Sequence, residues 1–222
     1  MLYFAKTPNI IKRIFPKLTW NIPSKKKVIY LTFDDGPTVD ITHWVLSELD
    51  KYNAKATFFC IGKNVMHHPL IFQDIIKKGH AIGNHTHNHL NGWKKSSKIY
   101  LQNINKAQEV IHSNMSDQKP VSQKLFRPPY GKIHTSVAKK LLHKDYQIIM
   151  WDVLSGDFDL SLPKERCLEN VITNTTKGSI VVFHDSVKAS KNLKFSLPKV
   201  LAHFSKKGYQ FEAIQNSSKN HN

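Results

Sequence analysis

The 222-residue chain has only two cysteines, Cys60 and Cys167, too few for a disulfide framework. Cys60 ends the apolar run that begins at Thr57 and reads as a core residue. Long uninterrupted apolar stretches are missing too. Lys6, Lys12, Arg13 and Lys17 interrupt the first twenty residues, so that region holds neither the apolar core of a secretory leader nor a membrane span. Its aromatic and basic residues suit an amphipathic helix on a membrane surface or, more commonly, a segment packed on its own domain. Acidic residues are scarce: 16 Asp and Glu stand against 33 Lys and Arg, a formal net charge of +17. The lysines are scattered in pairs and triplets, with no Arg-rich arm and no RNA-binding signature, which argues against a nucleic-acid partner. A solvated basic surface remains, with attraction to an anionic cell-wall or membrane surface as the sharper reading. Internal repeats are absent, and the length leaves no room for a second full catalytic domain.

What is present is an alternation of strand-like and helix-like segments. Strands are expected at 28–33, 56–61, 80–84, 124–127, 146–153, 179–183 and 209–213, where β-branched and aromatic residues run together. Helices are expected at 42–52, 69–78, 97–113, 135–143, 164–174 and 197–206. There apolar residues recur at three- and four-residue spacing, as in Tyr100, Ile104, Ala107 and Ile111. This rhythm predicts a mainly parallel sheet covered by helices. About seven units suit a distorted (β/α) barrel in a single α/β domain better than two domains, although periodicity alone does not separate a barrel from an open doubly wound sheet. The expected boundaries are an N-terminal segment at 1–24 packed on the domain, the domain itself at 25–214 and a polar tail at 215–222.

The unusual polar clusters fall at the C-terminal ends of these strands, which in a parallel barrel share one face. Asp34 and Asp35 follow the first strand, and Gly36 and Pro37 then turn the chain. Adjacent carboxylates repel, so a metal on one and an Arg on the other would hold them together; a capping turn is the bland alternative. His85 and His89 are four residues apart, a spacing that puts two imidazoles on one side of a helical turn, with His87 facing solvent or supporting them from behind. Two neutral imidazoles and one carboxylate make a three-ligand site with open positions, as a catalytic zinc-type metal requires. Arg127 precedes two prolines, and the Tyr130 N–H that follows is free to face a developing oxyanion. Trp151 to Asp159 brings acids to another strand end, and the apolar strand before His184 delivers one imidazole suited to general acid chemistry.

In order, TFDDGP (32–37), HTHNH (85–89), RPPYG (127–131), SGDF (155–158) and IVVFH (180–184) resemble the five motifs of the polysaccharide deacetylase family, carbohydrate esterase family 4 or the NodB homology domain. The resemblance spans about residues 28–213. It implies a distorted (β/α) barrel that removes acetyl groups from sugars with a divalent metal, most commonly zinc, with cobalt, nickel or manganese as alternatives. By motif, it implies Asp34 as general base, Asp35, His85 and His89 as metal ligands, and Arg127 as the residue that positions Asp34 and keeps it ionised. Tyr130 would supply an oxyanion N–H, His184 the general acid, Asp157 the carboxylate that raises its pKa, and Phe158 and Val182 the pocket for the acetyl methyl. Two positions depart from the family: Phe158 stands where Trp is usual and Val182 where Leu is frequent, both with less bulk. The implied partner is an N-acetylated glycan, peptidoglycan- or chitin-like; a monomer is expected, and the lack of a leader-like apolar run points to the cytoplasm or the membrane periphery. A metal amidohydrolase for a non-sugar amide and a non-catalytic glycan-binding relative are the competing readings.

Overall fold

The apolar run after the lysine triplet forms β1, Val28–Asp34, and all seven of its residues are buried. Burial on both faces is what a central parallel strand requires. Ile29, Leu31 and Phe33 pack outward with Val45, Leu49, Phe72, Leu197 and Leu201, whereas Val28 and Tyr30 belong to an inner cluster with Phe59, Leu125, Ile149 and Ile180. Alternation along the strand therefore aims Thr32 and Asp34 inward.

The computed structural model describes residues 3–115 and 124–215; beyond Gln215, the expected polar tail lies outside the described residues. Around β1 are β2 (Thr57–Cys60), β3 (Ala81–Asn84), β4 (Lys124–Phe126), β5 (Tyr146–Ile148), β6 (Val153–Leu154), β7 (Ile180–His184) and β8 (Gln210–Phe211). The order is β5-β4-β3-β2-β1-β7-β6, with β8 against the start of β1, and every pairing is parallel. The helices are α1 (Asn9–Ile14), α2 (Ile41–Asp50), α3 (Gly62–His67), α4 (Pro69–Lys77), α5 (Ser97–Ser113), α6 (Thr135–Leu142), α7 (Lys164–Asn174) and α8 (Ser190–Lys206). This is the expected curled parallel sheet sheathed by helices. Among the described residues, no helix is long and apolar enough to cross a membrane.

Three expectations need correction. The single strand expected at 146–153 is two strands on opposite edges of the sheet: β5 pairs with β4, and β6 with β7. The five steps from Ile148 to Val153 reach at most about 18 Å, so the sheet curls until its edges face each other across a seam. An apolar run reports burial and carries no record of its partners, which is why the break was hidden. The helix expected at 197–206 begins seven residues earlier, at Ser190, because the buried stripe of Leu197, Val200, Leu201 and Phe204 extends back to Leu193. Pro198 sits inside that helix and removes only its own N–H from the ladder. Finally, α3 was not anticipated; six residues are too few to show a period.

Residues from the N-terminal segment line the seam. Thr19 bonds the β5 side, with its N–H to Ile148 C=O at 2.9 Å and its C=O taking the Met150 N–H at 2.7 Å. Residues 5–7 run antiparallel to β6, where Leu154 N–H donates to Ala5 C=O at 2.8 Å and Thr7 N–H to Asp152 C=O at 2.9 Å. Asp152 fastens this arm: its carboxylate accepts from Lys6 Nζ at 2.6 Å, from Lys12 Nζ, and from Ser179 Oγ at 2.5 Å. Burial pushes this carboxyl's pKa up, but the hydrogen bonds from Lys12, Lys6 and Ser179 outweigh it and hold it below the ordinary value.

Asp152→Ala is therefore expected to lower the unfolding free energy by about 2–3 kcal/mol, the scale of hydrogen bonds to a charged group. With a folded pKa below the unfolded one, the carboxylate stabilises fully above about pH 4 and loses this effect as pH falls through the folded value. Urea midpoints of wild type and variant should converge in acid.

Candidate active site

Asp34 ends β1, His184 ends β7, and the two are register partners on neighbouring strands. The Arg127 guanidinium lies inside the barrel with no exposure. Its Nη1 donates to Asp34 Oδ1 and Thr32 Oγ1, both at 2.7 Å. Its Nε and Nη2 donate to the carbonyls of Ile149 and Met150 at 3.2 and 2.9 Å, and it stacks over Phe59 at 4.1 Å. The Arg expected on one of the two carboxylates is on Asp34.

Asp35 has φ 82° and starts the turn; Asn64 Nδ2 holds its carbonyl at 2.7 Å. Gly36 N–H donates to Asp185 Oδ1 at 3.0 Å, and Thr42 Oγ1 to Asp185 Oδ2 at 2.5 Å. A Cβ at position 36 would lie 2.1 Å from that carboxylate, so only glycine fits. Burial pushes the Asp185 carboxyl up to about 8, against the hydrogen bonds from Thr42 and Gly36 that favour its charged form.

His85 and His89 converge as expected, with ring centroids 5.1 Å apart, but not by helical spacing. Residues 85–89 form a loop with positive φ at Thr86 and His89. Asn103 Oδ1 accepts the N–H groups of His87 and Asn88, and Thr86 Oγ1 that of Leu90, which closes the loop. His87 is not solvent-facing: it is buried against α3 and α5, beside Gly62 and Ala107. His85 Nδ1 donates to the Arg127 carbonyl at 2.7 Å, which leaves Nε2 with its lone pair toward the carboxylates. Asp35 Oδ1 is 3.7 Å from His85 Nε2 and 3.2 Å from His89 Nε2, and Asp34 Oδ2 is 4.0 Å from His85 Nε2.

Asp35, His85 and His89 each offer one donor atom, all within 4.8 Å of one another. Asp35 Oδ1 is buried without a hydrogen-bond partner. Burial pushes the His85 imidazole down to about 4, against the pull of Asp34, which keeps it in the neutral, ligating form. Burial would raise the Asp35 carboxyl, but the imidazoles around it, His89 first and then His184, hold it well below the carboxylate range. An orphaned acceptor beside two imidazole nitrogens fits a divalent cation with positions left for other ligands.

On the opposite wall, His184 Nδ1 lies 2.8 Å from Asp157 Oδ1, and the His184 N–H donates to Asp157 Oδ2 at 2.7 Å. Burial lowers the His184 pKa, but the charge and hydrogen bond of Asp157, followed by the charges of Asp35 and Asp34, raise it to about 9. Phe158 meets the His184 ring edge-on at 5.1 Å, and Val182 is buried two residues before His184 on the same strand. Tyr130 has φ 60°, its ring packs on His89 at 4.7 Å, and among the described residues its N–H serves no backbone carbonyl. A pocket beside the ligand set is lined by Asp35, Pro37, Thr38, Asn64, His89 and Ser186. Thr32 stood inside a quoted motif and Asp185 next to His184, but neither was given a role, and Thr42 and Asn64 were not foreseen as parts of the site.

Residues 21–149 match the family model for polysaccharide deacetylase. A peptidoglycan-N-acetylglucosamine deacetylase from Bacillus cereus is 36% identical over 199 residues, covering 89% of this chain and 91% of that protein. The peptidoglycan-N-acetylmuramic acid deacetylase PdaC from Bacillus subtilis is 30% identical over 217 residues, covering 95% of this chain and 44% of PdaC. Among solved structures, the Bc1960 peptidoglycan N-acetylglucosamine deacetylase in complex with 4-naphthalen-1-yl-N-oxidanyl-benzamide superposes with a TM-score of 0.84 at 29% identity, over 94% of this chain and 95% of the other.

The donor set predicts binding of a single zinc ion, abolished in His85→Ala. Asp185→Ala frees the turn that carries Asp35 and is expected to weaken zinc binding about 10–100-fold, as losses behind metal ligands do. Asp185→Asn keeps an acceptor for the Gly36 N–H and should retain most of the affinity in calorimetric titration.

Proposed function

The chain belongs to the polysaccharide deacetylase family, and on that premise we propose that it hydrolyses the acetamide of N-acetylglucosamine units in a peptidoglycan-like glycan, with a divalent cation held by Asp35, His85 and His89. One observation carries this reading. A carboxylate salt-bridged to a buried guanidinium, Asp34, and an imidazole paired with a carboxylate, His184, end neighbouring strands in register beside the candidate cation site. Full-length similarity to a protein named for the N-acetylglucosamine reaction supports the choice of sugar.

When bound, a divalent cation supplies a Lewis acid that polarises the acetyl carbonyl and acidifies water. Asp34, oriented by Arg127 and Thr32, takes a proton from the water that attacks the carbonyl carbon. The Tyr130 N–H, set by its left-handed backbone, donates to the oxygen as it gains charge, a contact worth about 3–4 kcal/mol in other enzymes. His184 gives its proton to the amide nitrogen as the C–N bond breaks, leaving acetate and a free amine. Asp157 fixes the ring through Nδ1 and directs Nε2 toward the cleft. Phe158 and Val182 enclose the methyl group. Asp157 favours the protonated His184 that this step requires, and Arg127 holds the Asp34 carboxylate in place through Oδ1.

Asp34→Asn is expected to abolish acetate release from N-acetylglucosamine-containing peptidoglycan fragments while zinc binding persists. Acetate release from small non-sugar amides alone, or glycan binding without release, would replace this reading. The rate should fall on the alkaline side as pH rises through the raised His184 value, because the acid form is lost. Asp157→Asn removes the charge that raises it, so that limb of the kcat profile should move to lower pH.

A further inference from the structure

The wall of the site opposite the metal ligands includes a residue from the far end of the chain. Residues 5–7 pair with β6, and this pairing carries Tyr3 to the strand's C-terminal end. Tyr3 Oη there donates to Asp159 Oδ2 at 3.1 Å. Asp159 is itself held by the N–H and Oγ of Ser161 at 3.0 and 2.7 Å. The Tyr3 ring lies against Phe158, centroid to centroid 5.3 Å at 54°. Phe158 in turn presents its ring to His184 at 5.1 Å and 70°. The space that Tyr3 fills exists because position 156 is glycine with φ 82°: a Cβ there would lie 2.9 Å from Tyr3 Oη and 2.7 Å from Leu162. Burial and the neighbouring Asp159 raise the Tyr3 pKa to about 12, so the hydroxyl stays a donor.

We propose that Tyr3 is a positioning and specificity-determining residue: it backs Phe158, sets the depth of the pocket for the acyl methyl, and fixes the ring against which the His184 imidazole rests. This rests on the deacetylase reading above. Phe158 has less bulk than the Trp usual in this family, and Tyr3 supplies aromatic volume directly behind it. Residue 3 lies well before the first of the five motifs at 32–37, so the pocket wall is completed by a part of the chain that the motifs do not include. Phe158 touches substrate in this scheme; Tyr3 acts through Phe158.

The test compares wild type, Tyr3→Ala and Tyr3→Phe, each zinc-loaded, on N-acetyl- and N-propionylglucosamine oligomers. Tyr3→Ala should raise the propionyl-to-acetyl ratio of kcat/KM at least about tenfold, the lower end of what one methylene is worth in an apolar pocket. Tyr3→Phe, which keeps the ring, should stay near wild type. An unchanged ratio in a Tyr3→Ala protein that still melts cooperatively overturns the proposal. A second readout needs no turnover. The His184 Hε1 resonance, shifted by the Phe158 ring, should move in Tyr3→Ala and hold in Tyr3→Phe. If it holds in both, the proposal fails even where deacetylation is found. If it moves in Tyr3→Ala while no variant releases any acyl group, the packing link stands and the deacetylase reading fails.

Discussion

The structure depends on one buried cation. Arg127 has no contact with solvent, yet its guanidinium is well matched: Asp34 supplies the charge, Thr32 and two backbone carbonyls accept three further N–H bonds, and Phe59 offers its ring face. A buried charge survives only where hydrogen bonds and a counter-charge replace water. The two carbonyls belong to Ile149 and Met150, the residues that leave β5 to cross the seam, so the guanidinium binds the central strand to the part of the barrel that lacks a ladder. The Arg127 main chain does a second job, because its carbonyl sets the His85 tautomer. One residue thus fixes the carboxylate assigned to proton abstraction and one imidazole assigned to the cation. Their spacing is determined by the fold rather than by loop conformation.

Across the cleft the same logic is used with a partner that titrates. Asp34 is paired with a cation that cannot lose its proton in the physiological range, and Asp157 with an imidazole that can. The two pairs hang from adjacent strands in register, β1 and β7. Parallel pairing therefore delivers the carboxylate and the imidazole proposed as proton acceptor and donor to one face, each with a partner of its own. The same strand ends are reached by residues about 150 positions apart in sequence.

Much of this was legible in the sequence. The bounds of α5 and α7 agree with their apolar spacing, and Ser96 caps α5 where the pattern begins. The polar clusters at strand ends do meet, since the C-terminal ends of parallel strands have no other place to go. What failed were inferences that needed knowledge of neighbours. The 85–89 segment was read as a helical turn because only the spacing was available, whereas the loop is shaped by Asn103 and Thr86. His87 was left between solvent and a place behind the ligands because its burial depends on α3, a helix too short to announce itself. Asp185 was passed over because an acid next to an imidazole carries no sign that a glycine N–H and a threonine hydroxyl await it. The 146–153 run concealed a break because hydrophobicity is the same on either side of a seam.

The arm across that seam has a consequence outside the cleft. An open parallel sheet ends in two strands whose outer amides and carbonyls have no partner, and such rims recruit strands from other molecules. Here Thr19 occupies the rim beside β5, and residues 5–7 occupy the rim of β6. The segment that delivers an aromatic ring to the site also blunts both rims, so a chain that lost its hold on Asp152 would expose surfaces suited to self-association at the same moment that it loosened its pocket.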